Sequence, residues 1–197
     1  MIANNHIDVG GVLRRRVCHL YMDLVTRPTG AAVRSEIEHQ LGELQGRTLT
    51  VIDLSQVGLL DFSCADEVIA KLLLRYQTAV LDGGFDGYFV VRGVSECHLD
   101  AIEAVLERHR LALLVETVDG ELRLVGELPE HGAKAWAALC AAGRIDAAQV
   151  AQELGITAPD AEALLGDLCR LRVVIPVERE YVAVYAAAAL ASLPRLQ

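Results

Sequence analysis

The run Leu49-Thr50-Val51-Ile52-Asp53-Leu54 is almost continuously apolar. Such a run marks a strand covered on both faces, the kind found in the middle of an α/β sheet. Its neighbours supply the covering layers. Residues 31–44 carry an apolar stripe at Val33, Ile37, Leu41 and Leu44, with Glu36, Glu38 and Glu43 outside it, which predicts a helix. A second helix is expected from Cys64 to about Val80. Its inner face would be Ala65, Val68, Ile69, Leu72, Leu73 and Tyr76, and its outer face Glu67, Lys71 and Arg75. Tyr88 to Arg92 reads as another buried strand. Ser95 is placed to cap a third helix with Leu99, Ile102, Val105 and Leu106 inside. Two alternating runs flank Asp119-Gly120, a strong hairpin signal.

Upstream, Cys18, Leu20, Met22 and Leu24 alternate with polar residues, so Cys18 to Val25 is expected as the first strand. The polar N-terminus, Gly10-Gly11 and Arg14-Arg15-Arg16 read as a flexible, solvated flank before it. The resulting order is β-α-β-α-β-α-β-β, a layered α/β domain.

Leu128-Pro129-Glu130-His131-Gly132 marks a boundary, so the domains are expected at 1–127 and 128–197. The second contains a helix with Trp136, Leu139 and Cys140, then one capped by Asp146. A third is opened by Thr157 with Asp160 in a capping box. Val173–Val177 and Tyr181–Tyr185 would form a hairpin around Glu178-Arg179-Glu180. Helix, helix–turn–helix and hairpin is the winged-helix order. The segment Tyr181 to Leu193 reads as a strand and a terminal helix. It is too short for the roughly 20 apolar residues of a membrane span. Its apolar tail, from Tyr185 to Leu193, is expected to pack on the first domain or on a second copy of the chain.

The five cysteines show no Cys-x-x-Cys spacing and are odd in number. That suits reduced thiols in a cytoplasmic protein, and no secretory leader is visible. A net charge of −9 disfavours nucleic acid unless a local basic patch exists.

The segment from Leu49 to Glu67, with "Val-Ile-Asp53-Leu-Ser-Gln-Val" followed by "Asp61-Phe62-Ser63-Cys64-Ala65-Asp66-Glu67", resembles the STAS domain. STAS domains occur in anti-sigma factor antagonists and in sulphate-transporter tails. Together with Thr26-Arg27-Pro28-Thr29-Gly30, it is similar to a STAS-like branch in which the domain often sits beside a helix-turn-helix. The resemblance spans about residues 17–126. It implies a STAS-like layered sheet with helices and action through a protein partner, such as a regulatory kinase or an anti-sigma-like factor. In the antagonists the serine directly after the aspartate is phosphorylated. Phe62 stands there in this chain, so the phospho-switch is not carried over.

The residues expected to meet a partner are Asp61, Phe62, Ser63, Asp66 and Glu67. Phe62 would be an apolar anchor among charges. Ser63 is expected as the helix N-cap, with Asp66 answering it. Asp53 and Asp61 stand near the end of the central strand without histidine or cysteine at ligand spacing, so neither metal, cofactor nor catalytic residues are assigned. Cys97-His98 is read as a core cysteine beside a surface histidine. A DNA alternative would use Arg170, Arg172 and Arg179 around the third helix of the second domain. That helix also carries Asp160, Glu162 and Asp167. Residues 130–197 hold six Lys and Arg against eight Asp and Glu, a net −2. This surface would repel phosphates, and protein contact or homodimerisation is the favoured use.

Overall fold

A computed structural model describes residues 2–17, 22–78, 86–184 and 186. The chain divides into two compact units, Met1–Gly126 and Glu127–Gln197. The expected apolar tail from Tyr185 to Leu193 and the four residues 18–21 of the expected first strand lie outside the described residues, apart from Ala186.

The first unit is a five-stranded sheet in the order β1-β2-β3-β4-β5. Its strands are β1 (Ala3–Asp8), β2 (Arg47–Asp53), β3 (Asp86–Val94), β4 (Ala112–Thr117) and β5 (Leu122–Gly126). The first four run parallel and β5 returns antiparallel to β4. β2 lies between β1 and β3, with Leu49 paired to Tyr88 and Ile52 to Val91. Its residues Thr48 to Ile52 are all buried, as the apolar run implies. The chain turns between β4 and β5 at Asp119-Gly120, where Gly120 adopts φ 82°, a left-handed conformation that glycine takes without a Cβ penalty.

The first strand is not where the apolar alternation suggests. Ala3–Asp8 forms it, paired in register from Ala3–Thr48 to Asp8–Asp53. Only Ile7 is buried in this edge strand. One inward residue suffices at an edge, so hydropathy leaves little trace of it. The described part of the expected strand, Met22 to Val25, contributes only an isolated bridge from Leu24 to Leu60.

The expected N-terminal flank is also structured. Val9–Arg16 is helix α1, capped by Asp8, whose carboxylate accepts from the Gly11 amide at 3.0 Å. Gly10 is there for proximity: a Cβ on it would lie 2.4 Å from Gln56 Cβ. The three arginines occupy the last turn of α1, where the helix dipole favours cations.

Helix α2 spans Arg27–Gly42 and buries Val33, Ile37 and Leu41. Between β2 and β3 run α3 (Phe62–Ala65), a π-helical turn (Asp66–Ala70) and α4 (Lys71–Thr78), one after another without a break. Helix α5 (Glu96–His109) leads to β4. One continuous core joins Ile7, Val33, Ile52, Val68, Phe89, Ile102 and Val115.

The second unit holds α6 (Gly132–Ala142), α7 (Ala147–Leu154), α8 (Ala158–Arg170) and an antiparallel pair, β6 (Val174–Val177) and β7 (Glu180–Ala183). Ile145 bridges to Tyr181 beside that pair. Asp146 and Gln149 cap α7 reciprocally, at 2.8 and 2.9 Å. Thr157 caps α8 by accepting from the Asp160 amide at 3.3 Å, and its hydroxyl donates to the Asp160 carboxylate at 2.6 Å. The buried residues Leu139, Val150, Leu165, Leu168, Val174 and Ile175 come from every element between α6 and β6.

Candidate functional site

The loop after β2 is laced onto the segment Met22 to Leu24. The Gly58 amide donates to the Met22 carbonyl at 2.7 Å, Leu24 to Leu59 at 2.7 Å, and Asp61 to Leu24 at 2.8 Å. The Leu59 amide donates to the Asp23 carboxylate at 3.0 Å. Asp61 then opens α3. Its carboxylate accepts from the Cys64 amide at 2.7 Å and from the Ser63 hydroxyl at 2.9 and 3.1 Å. The N-cap is therefore Asp61, not Ser63. Asp61 is extended, at φ −83° and ψ 164°, and an anionic oxygen accepts amide bonds more strongly than a hydroxyl. Burial works against the Asp61 charge, but the Cys64 amide and Ser63 hold its carboxyl below the usual range.

Further along the same helical run, Asp66 and Glu67 are only 6 and 3% exposed. Asp66 does not answer Ser63, and Glu67 does not lie on an outer face. Asp66 accepts from Arg27 at 2.9 Å and pairs with His109 Nε2 at 2.8 Å. Glu67 accepts from Arg27 at 2.7 Å, from Arg34 at 3.3 Å, and from Lys71. Arg34 continues to Glu38 at 3.0 Å, and Arg75 meets Glu38 at 2.7 Å. A π turn adds a residue to the helical repeat and shifts its phase. The residues from Asp66 to Ala70 that form it are all buried. Burial opposes the charge on both carboxyls. It is outweighed at Asp66 by His109 and Arg27, and at Glu67 by Lys71 and Arg27, so both titrate below their ordinary range.

Thr26-Arg27-Pro28-Thr29-Gly30 supplies the other half. Thr26 caps α2 by accepting from the Thr29 amide, and Pro28 occupies the first turn, where its missing N–H costs nothing. Arg27 reaches both carboxylates. Gly30 allows close approach, since a Cβ there would lie 3.0 Å from both Cys64 Cα and Glu67 Cβ. The Cys64 thiol donates to the Thr26 carbonyl at 2.9 Å. Burial, then the Asp61 charge, pushes that thiol up to about 11, so it remains a donor. Arg34 and His109 were not foreseen from the sequence. Their signal was only an arginine on α2 and a histidine at the end of α5.

Beside the half-exposed Arg27 and Lys71, the site shows three large apolar side chains to solvent. Phe62 is 38% exposed, Leu59 53% and Met22 50%. The Arg108 guanidinium stands 5.7 Å from the Phe62 ring centroid, within cation–π range.

The remaining expected residues lie apart from it. Asp53 pairs with His6 at 3.0 Å and accepts from the Ser55 amide at 2.8 Å. Cys97 and His98 exchange the places expected of them: Cys97 is exposed and His98 is 2% exposed. His98 Nδ1 accepts from the Ser95 amide at 3.4 Å and Nε2 faces the Gly58 carbonyl at 3.2 Å, which puts the proton on Nε2. That bond ties α5 to the loop before α3. Arg172 is buried, 4% exposed, at φ 63°, so it is no surface cation. Arg170 is exposed and paired with Asp167, and Arg179 is exposed in the β6–β7 turn.

Among the described residues, no group of three His, Cys, Asp or Glu could hold a metal ion, and no helix is long and apolar enough to cross a membrane. Comparison of the chain with protein-family models and with curated proteins found no match.

Proposed function

We propose that this is a non-enzymatic bacterial regulatory protein of the cytoplasm, working through protein–protein interaction of a STAS-like first domain that is followed by a winged-helix domain. The observation that carries the reading is the exposed apolar group Met22, Leu59 and Phe62 on backbone held by four hydrogen bonds. A rigid apolar patch forfeits little entropy on binding, and an aromatic side chain is a frequent anchor of interface energy. Asp61 and Ser63 border Phe62 at the helix start. Asp66 and Glu67 act from beneath, holding the helix in place rather than touching a partner. A regulatory kinase or an anti-sigma-like factor is the class of partner the resemblance suggests.

Affinity purification from the source cell tests this. A specific binder should be captured by the native chain and lost with Phe62→Asp or Leu59→Asp, while the melting temperature stays within a few degrees. Retention of the same binder by both variants would remove this surface from the interface. The DNA reading draws little support. Of Arg170, Arg172 and Arg179, one is buried and one is tied to a carboxylate on its own helix.

A further inference from the structure

The second unit has a groove of about 410 Å³ between the turn before α6 and the exposed side of α8. Pro129, Ile156 and Leu164 give it apolar lining. Its rim is acidic. Glu130 comes from the turn, and Asp160 and Asp167 lie about two turns apart on α8. The Glu130 side chain is 92% exposed. Among the described residues, the Asp167 side chain pairs with Arg170 of its own helix, in an exposed pair of the kind that contributes little. His131 is the other ionisable lining residue, 3.8 Å from Glu130.

Apolar lining with carboxylates along the rim complements one chemistry: a segment with leucine-like residues toward the groove and arginine or lysine at its sides. It opposes nucleic acid, whose phosphates these carboxylates would repel. We propose that this groove docks a basic amphipathic segment of a partner protein. All of the described residues that line the groove belong to the second unit, so this inference stands apart from the reading of the first.

Ala163 lines the groove on the exposed side of α8, where a long side chain is compatible with the helix. Ala163→Arg therefore blocks the groove and places a cation among its carboxylates without disturbing the core. The probe is a short fluorescent peptide of leucine and arginine at helical spacing, titrated into the full chain at physiological salt. Saturable binding is expected, weakened by about tenfold or more in Ala163→Arg, as like charges in an interface require. Glu130→Gln with Asp167→Asn should weaken it too, whereas Glu43→Gln with Asp119→Asn, the same change in net charge outside the groove, should not. Unchanged affinity in Ala163→Arg overturns the proposal. Equal loss in the two charge-neutralised pairs would show bulk attraction and also overturn it. So would equal binding of the peptide with glutamate in place of arginine, or preference for a DNA duplex over the peptide.

Discussion

The π turn before α4 and the helix α8 both carry carboxylates, and along the sequence the two look alike. In the structure they differ in kind. Asp66 and Glu67 are buried and met by Arg27, Arg34, Lys71 and His109, drawn from α2, α4 and α5. Among the described residues, Asp160 and Asp167 are answered by Thr157 and Arg170 of the same helical segment. A carboxylate met by distant parts of the chain has become part of the fold. One answered by its own helix is still available to something outside. Composition cannot separate the two cases, because the difference lies in what packs against each helix.

The contrast is sharpest in stability. Glu67→Ala removes the acceptor shared by Arg27, Arg34 and Lys71. The three cations reach solvent in part, and Arg27 and Arg34 keep Asp66 and Glu38. The change should therefore cost the first unit about 2 kcal/mol, the range for losing hydrogen bonds to a charged group. Asp160→Ala removes a first-turn charge and the exposed acceptor of the Thr157 hydroxyl, and should cost the second unit about 0.5 kcal/mol. Hydrogen exchange read peptide by peptide in urea follows the units separately. Equal losses at the two sites would break the comparison.

The next effect is in pH. Asp61, Asp66 and Glu67 all have folded values below the ordinary range. A depressed carboxyl stabilises the fold above its unfolded value, about pH 4, and that stability is lost as pH falls through the folded value. The first unit should hold its urea midpoint from neutrality to about pH 5 and lose it progressively below about pH 4. The Glu67→Ala variant should show a shallower fall. A midpoint that stays level down to about pH 3 would mean that the charges are not coupled to folding.

The smallest effect separates two neighbouring residues. Asp61→Ala should cost about 1 kcal/mol through loss of the cap. Ser63→Ala, which removes a hydroxyl donating to a carboxylate that keeps its amide partner, should cost about half of that or less. Thermal melts of the two variants decide which residue caps α3, and the reverse order would restore Ser63 to that role.

Much of this architecture is legible without coordinates. The buried central strand, the stripe of α2, the inner face from Ala65 to Tyr76, the Asp119-Gly120 turn and the Asp146 and Thr157 caps all follow from local periodicity and capping chemistry. These are properties of residues a few positions apart, and the chain carries them wherever it folds. The edge strand Ala3–Asp8 was hidden because the sheet asks only Ile7 of it. The cap moved from Ser63 to Asp61 because the helix begins two residues earlier: Asp61 is extended and takes the Cys64 amide, while Ser63 lies inside α3 with its hydroxyl donating to Asp61. That Phe62 stays at the surface while Asp66 and Glu67 go inside reverses what hydropathy alone would assign. Only the tertiary structure could decide it: a charge can be buried when cations from separate elements converge on it, and that convergence is set by how α2, the π turn and α5 pack together.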